Sequence, residues 1–215
     1  MSAAGHNNRR AGFELVVLVG SLGGMHSAAA VLAALPGSFP VPLLLLLHGR
    51  RRHAAEPERL APLLQRFTEL PVRTAVADMT LGTPGVTVLP SASTASFDAG
   101  RRMQLIEATA TTGGDALLTA AADALGPTLI GVILTGMLHD GTDGVRAIKR
   151  GGGRVLAEDP RTARAGGMPT SAIASGCVDF VLPAHRIAPA LVALSMAPGG
   201  AELFTVPTPA WATLH

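Results

Sequence analysis

The stretch Glu14-Leu15-Val16-Val17-Leu18-Val19-Gly20, followed at once by Ser21-Leu22-Gly23-Gly24, decides how the rest of the chain reads. An apolar run of this length without a polar interruption fits a strand buried on both faces, as in a parallel sheet covered by helices. It ends in a serine flanked by glycines, and an alanine-rich helix from about Met25 to Leu35 then stops before Pro36. Strand, sharp turn and helix in that order open a doubly wound α/β unit.

The alternation continues outward from this unit. Leu43 to Leu47 reads as a second strand delivering His48 at its carboxyl end, and an arginine-rich loop follows. An amphipathic helix then carries Leu60, Leu63, Leu64 and Phe67 on one face, and Val72 to Ala77 reads as a third short strand. Between Met79 and Ala110, Gly82, Pro84, Gly85, Pro90 and Gly100 break the chain into short β-like pieces such as Val86 to Leu89 and Arg102 to Glu107. These read as an antiparallel excursion beside the main sheet. A helix from about Asp115 to Leu125 leads into the strand Thr128 to Thr135, the turn Gly136 to Gly141, and a helix from Thr142 to Arg150 stopped by Gly151 to Gly153. Strands near Arg154 to Ala157 and Val178 to Leu182 finish the sheet, with short helices after Pro169 and Ile187. The expected fold is α/β: a doubly wound, mainly parallel sheet with helices on both faces and a small antiparallel excursion. Its body spans residues 14–196, between a flexible N-terminus (1–13) and a Pro/Gly-rich tail (197–215) that is either poorly ordered or docked as coil.

Composition narrows the function. With 215 residues, of which 48% are hydrophobic and 15% charged, the chain suits one domain with a sizeable core. Aromatics are only 3% and tyrosine is absent, so the core is aliphatic and the stacking platforms of a single-stranded nucleic-acid binder are missing. The formal charge of +2 comes without a long basic stripe, and nucleic acid is not indicated. The single cysteine, Cys177, sits in an apolar context and reads as an inert buried thiol that can form no intramolecular disulfide. The most apolar run, Val41 to Leu47, is far below the ~20 residues of a spanning helix, and the polar N-terminus lacks a signal-peptide core. A cytoplasmic enzyme without membrane insertion is the expectation; the oligomeric state is left open.

Ligands of an open parallel sheet bind outside the carboxyl ends of its strands, near the point where strand order reverses. Polar residues placed immediately after buried strands should therefore converge on one edge. Three stand out: Ser21 after the first strand, His48 after the second, and Asp140 in the turn after Leu134. A serine hydroxyl attacks a carbonyl only if an imidazole takes its proton, and a carboxylate must orient that imidazole and stabilise its cation. The turn is not the Gly-x-Ser-x-Gly elbow, because its first glycine is one position too close, but the glycines and the following helix N-terminus suit an oxyanion. Each residue also has a purely structural reading: Ser21 or Asp140 as a helix cap, and His48 as a satisfied strand-end residue. His26, His53 and His139 compete with His48, and Asp143 competes with Asp140. P-loop and Gly-x-Gly-x-x-Gly spacings are absent, as are His-x-His and His-Glu-x-x-His clusters, so neither a phosphate-binding loop nor a metal site is indicated.

Val19-Gly20-Ser21-Leu22-Gly23-Gly24 resembles the Gly-x-Ser-Thr-Gly-Gly signature of the catalytic domain of chemotaxis protein-glutamate methylesterases. Gly131-Val132-Ile133-Leu134-Thr135-Gly136-Met137, followed by Asp140-Gly141, is similar to the second signature of that family, and Gly167-Met168-Pro169 to a third element. The resemblance covers roughly Glu14 to Met196. It implies Ser21 as nucleophile, His48 as general base and Asp140 as the orienting carboxylate, with no cofactor or metal. It further implies hydrolysis of glutamate methyl esters on methyl-accepting chemoreceptors, with glutamine deamidation as a related activity. Leu22 and Gly23, the former through its backbone N–H, and Gly136 and Met137 are the candidate oxyanion and substrate-binding residues.

The chain departs from the family pattern at three places. Leu22 replaces a hydroxyl residue, Gly49-Arg50-Arg51-Arg52 stands where Met-Pro is usual, and Thr112-Gly113-Gly114 replaces an Arg-Pro-Ser-type stretch. These segments shape access, so another ester-bearing protein is an alternative substrate. A small-ester hydrolase with the same triad and a catalytically impaired binding module are alternative functions. The arginine run reads either as a rim attracting acidic receptor helices or as a solvated loop. No receiver domain precedes residue 14 in this sequence, so phosphorylation control within the chain is not expected.

Overall fold

The computed structural model describes residues 12–48, 57–80, 82–90, 92–108, 113–202 and 206–213. Its main sheet grows from the run that opened the sequence reading. Strand β1 (Leu15–Gly20) is buried along its whole length and lies between two parallel partners, β2 (Leu43–Leu47) and β8 (Leu129–Ile133). Seven parallel strands result, in the order β10-β9-β8-β1-β2-β5-β3, with β3 (Val72–Thr74), β5 (Val86–Val88), β9 (Arg154–Glu158) and β10 (Phe180–Leu182) filling the two wings.

Successive side chains of a strand point to opposite faces, and β1 divides the core accordingly. Leu15, Val17 and Val19 enter one hydrophobic cluster with Leu117, Leu118, Val145 and Ile148. These last come from α3 (Gly113–Leu125) and α4 (Thr142–Arg150), which share that face with α5 (Gly167–Ala174). Val16 and Leu18 enter the other cluster with Val31, Leu32, Leu64 and Leu191. That face is covered by α1 (Gly24–Ala33), α2 (Pro57–Gln65) and α6 (Ala184–Met196). The sheet is thus doubly wound. The three-stranded antiparallel excursion is β4 (Met79–Thr80), β7 (Arg102–Glu107) and β6 (Ser93–Phe97), in that order, and Ala95 and Met103 anchor it to the α3 side.

Several local expectations need correction. Val86 to Val88 belongs to the main sheet, paired in parallel with both β2 and β3, because all three residues are buried between helix-covered faces. Leu63 on α2 and Phe67 just past its end are exposed, and Ala61 and Leu64 are the buried apolar residues of the helix. The last helix is not short: α6 runs 13 residues with Pro189 inside. The tail docks through two short 3-10 turns rather than plain coil. Trp211 stacks under the Arg146 guanidinium at 5.3 Å, and Arg150 Nη1 donates to Ala212 O at 3.2 Å. A buried ion pair, Lys149 Nζ to Asp179 Oδ1 at 2.6 Å, ties α4 to the loop before β10. Asp179 also accepts the N–H groups of Val155 and Val206. The expected flexible segment before residue 12 and the arginine run of residues 50–52 lie outside the described residues.

The chain passes from β1 to β2 on one side and continues from β8 to β9 on the other, so strand order reverses at β1. The crevice beyond the carboxyl ends of β1 and β8 is where the topology leaves room for a ligand.

Candidate active site

Parallel register carries Ser21 to this crevice. Gly20 pairs with Leu47 and Val19 with Ile133, so the next positions set Ser21 beside His48 on one side and Thr135 near it on the other. Two backbone bonds fix this arrangement: His48 N donates to Gly20 O at 2.8 Å, and Ser21 N donates to Thr135 O at 2.9 Å. The turn reverses into α1 through Gly23, whose φ of 86° is the left-handed conformation that glycine adopts without strain. Among the described residues the N–H groups of Leu22 and Gly23 have no hydrogen-bond partner, and both sit at the N-terminal end of α1. That is a ready environment for an anion.

Asp140 reaches the same edge from the loop between β8 and α4. Its carboxylate is 2.7 Å from His48 Nε2, and both side chains are almost wholly buried. The ring N–H points off the line to the carboxylate, so the contact is an ion-pair distance rather than an aligned hydrogen bond. Asp140 is held firmly from behind: Gly114 N donates to Oδ2 and Asp115 N to Oδ1, each at 2.9 Å, from the first turn of α3. Burial by itself would push this carboxyl up. The His48 contact and the two N–H bonds outweigh it and hold the group below its ordinary value, ionised at neutral pH.

The structure therefore brings Ser21, His48 and Asp140 to one rim of the sheet. Ser21 Oγ has no hydrogen-bond partner among the described residues, so serine and imidazole are neighbours that are not yet bonded. Nε2 is the ring nitrogen that faces Asp140. The competing residues differ in exposure. His26 and His139 are exposed, Asp143 is a surface partner of Arg146, and His53 falls outside the described residues.

Gly136 lies beside Ser21, and Met137, next in the chain, is exposed. Gly136 N–H is engaged by Ala165 O, so it offers close approach instead of a donor. A Cβ there would collide with the Met168 sulfur and lie 3.1 Å from Ser21 Cβ. Met168 is buried and fills the space beside Gly136, which ties the start of α5 to the serine turn. Met137, Leu138 and Leu22 are exposed and make the rim apolar; Leu138 does so from a left-handed backbone with φ 67°.

Sequence reading missed three parts of this site. Gly113 and Gly114 were noticed only as a departure from a family pattern, yet a Cβ at Gly113 would lie 2.8 Å from His48 Cε1, and one at Gly114 2.6 Å from Asp140 Oδ2. A glycine pair opening a helix is the signal that was available. Glu158 was missed because the strand was read as ending one residue early. The rule that selected Ser21, a polar residue at a buried strand's carboxyl end, selects Glu158 as well. No group of three or more His, Cys, Asp or Glu side chains among the described residues could hold a metal ion.

Fold and site together define a doubly wound α/β protein with a hydroxyl, an imidazole and a carboxylate gathered at its topological switch point. The chain belongs to the CheB methylesterase family, whose sequence model matches residues 16–191. It is 40% identical over 195 residues to a protein-glutamate methylesterase/protein-glutamine glutaminase of Moorella thermoacetica, covering 86% of this chain and 45% of that protein. It is 36% identical over 184 residues to the protein-glutamate methylesterase FrzG of Myxococcus xanthus, covering 84% and 54%. The chain thus spans about half the length of these two relatives. The crystal structure of the Thermotoga maritima CheB methylesterase catalytic domain superposes with a TM-score of 0.74 at 31% identity, covering 85% of this chain and 98% of that one. No helix among the described residues is long and apolar enough to cross a membrane.

Proposed function

We propose that this chain is a protein-glutamate methylesterase that hydrolyses glutamate methyl esters on methylated chemoreceptors in the cytoplasm, with residues 14–196 as its catalytic unit. The observation that carries the reading is the buried His48–Asp140 contact at 2.7 Å, on the strand end next to Ser21.

In this reading Ser21 Oγ attacks the ester carbonyl carbon as its proton passes to His48 Nδ1. Asp140 supports the resulting imidazolium through Nε2. The tetrahedral oxyanion is met by the free N–H groups of Leu22 and Gly23 and by the positive end of α1. Collapse breaks the bond to the methoxy group, which takes the proton from His48 and leaves as methanol. Water then attacks the acyl-serine, again giving a proton to His48, and releases the glutamate carboxylate and free Ser21. An amide substrate follows the same course and releases ammonia, which accounts for glutamine deamidation as a companion activity. The apolar rim of Leu22, Met137 and Leu138 suits a receptor surface carrying a neutral ester better than a free, charged glutamate.

Methanol release from methylated receptor membranes tests the proposal. Wild type should release methanol and Ser21→Ala should not. Hydrolysis of a small aryl ester without methanol release from receptors would instead favour a small-ester hydrolase.

A further inference from the structure

Behind the nucleophile turn lies a polar network that the reaction just described does not use. Glu158 closes β9 with its side chain only 2% exposed, and it forms no ion pair among the described residues. A buried carboxylate without a cation is unfavourable unless its lone pairs are well used. Both oxygens of Glu158 are used. Oε2 accepts the Thr135 N–H at 2.8 Å, and Oε1 accepts the Ser27 hydroxyl at 3.0 Å. One arm therefore reaches the end of β8 and the other reaches the first turns of α1.

Thr135 passes the restraint on. It is fully buried, and its carbonyl accepts the Ser21 N–H at 2.9 Å. Its hydroxyl accepts the Ala165 N–H at 2.8 Å and shares its own proton between Leu22 O at 3.0 Å and Ala165 O at 3.1 Å. Ser21 and Leu22 are thus gripped from the front by Thr135, and α1, into which they run, is gripped through Ser27. Both grips converge on one carboxylate.

We infer that Glu158 is a positioning residue for the nucleophile: through Thr135 and Ser27 it sets the placement of the Ser21 turn against His48. This rests on the hydrolase reading above. The chemistry distinguishes a positioning role from simple filling of space. A glutamine can accept the Thr135 N–H through its carbonyl and donate to the Ser27 oxygen, so Glu158→Gln keeps both arms. Glu158→Ala cuts both, and Ser27→Ala cuts one.

The test is the second-order rate of labelling by a fluorophosphonate, together with kcat and KM on a small aryl ester, measured well below each variant's melting temperature. Glu158→Ala should lower the labelling rate and kcat by about 10²-fold, the scale of an ångström-sized misplacement of a reacting group, with little change in KM. Glu158→Gln should restore most of the rate, and Ser27→Ala should fall between. If Glu158→Ala does not fold, Ser27→Ala, which removes the arm to α1 and leaves the carboxylate and the Thr135 bond in place, carries the test, and a loss of about tenfold is expected. A folded Glu158→Ala or Ser27→Ala that labels at the wild-type rate overturns the inference and leaves the hydrolase reading intact. Wild-type labelling that survives Ser21→Ala overturns the hydrolase reading, and this inference with it.

Discussion

His48 Nε2 lies 2.7 Å from Asp140 Oδ2, while the same carboxylate takes two N–H bonds from Gly114 and Asp115 at the start of α3. The imidazole is thus oriented by a carboxylate that is itself pinned to a helix N-terminus. With Nε2 against Asp140, Nδ1 is the nitrogen that the proposed mechanism assigns to the proton of Ser21.

Removing His48 should therefore abolish most turnover without unfolding the protein. His48→Ala is expected to lower kcat/KM by several orders of magnitude, and Asp140→Asn by about 10³- to 10⁴-fold, as in other serine triads. Steady-state kinetics paired with circular dichroism would check this. An equal loss from exposed His139→Ala would reassign the base.

The glycine pair at the start of α3 makes a second prediction. A methyl group at Gly114 would sit 2.6 Å from Asp140 Oδ2 and 2.8 Å from Val19 Cγ1, both in the buried interior. Gly114→Ala should displace the carboxylate and lower kcat by about 10²-fold. Gly113→Ala, which meets His48 Cε1 at 2.8 Å, should do the same through the imidazole.

Two neighbouring carboxylates should respond to acid with opposite signs. Asp140 is held below its ordinary value, so its stabilisation is complete above the unfolded carboxylate range and drains away as pH falls through the lower folded value. Asp115 is pushed up, first by burial and then by the charges of Asp140 and Asp143, against the N–H bonds of Gly144 and Gly141. Its favourable contribution exists below the ordinary value of 3.8 and is lost as pH rises through the raised one. Thermal melts should show Asp115→Asn more stable than wild type at pH 7, and Asp140→Asn less stable. Both differences should shrink in strong acid.

The Lys149–Asp179 pair should matter for folding and not for chemistry. Both side chains are nearly inaccessible, and Asp179 also holds Val155 and Val206. Lys149→Ala leaves that buried charge unpaired and is expected to cost about 3–5 kcal/mol in denaturant unfolding. The labelling rate of the folded fraction at Ser21 should stay at the wild-type value.

Most of the fold was legible because buried parallel strands announce themselves as apolar runs, and Leu15–Gly20, Leu43–Leu47 and Leu129–Ile133 are the three that build the centre. Val86–Val88 was misassigned because three residues carry no period, and glycines and prolines around it look the same beside an edge hairpin as beside an inserted strand. At the candidate site, Ser21, His48 and Asp140 are legible as candidates because Ser21 and His48 directly follow strands and Asp140 lies in the turn after one. Thr135 and Glu158 were harder. They meet each other and the serine turn through bonds between separate strand ends and α1, and such contacts depend on strand order, which local sequence does not encode.

The most direct measurement is mass mapping of the protein after reaction with a fluorophosphonate. The account predicts one adduct, on the peptide containing Ser21, absent in Ser21→Ala and slowed by orders of magnitude in His48→Ala. Folded wild-type protein that takes up no adduct, or takes it on a different serine, would contradict it.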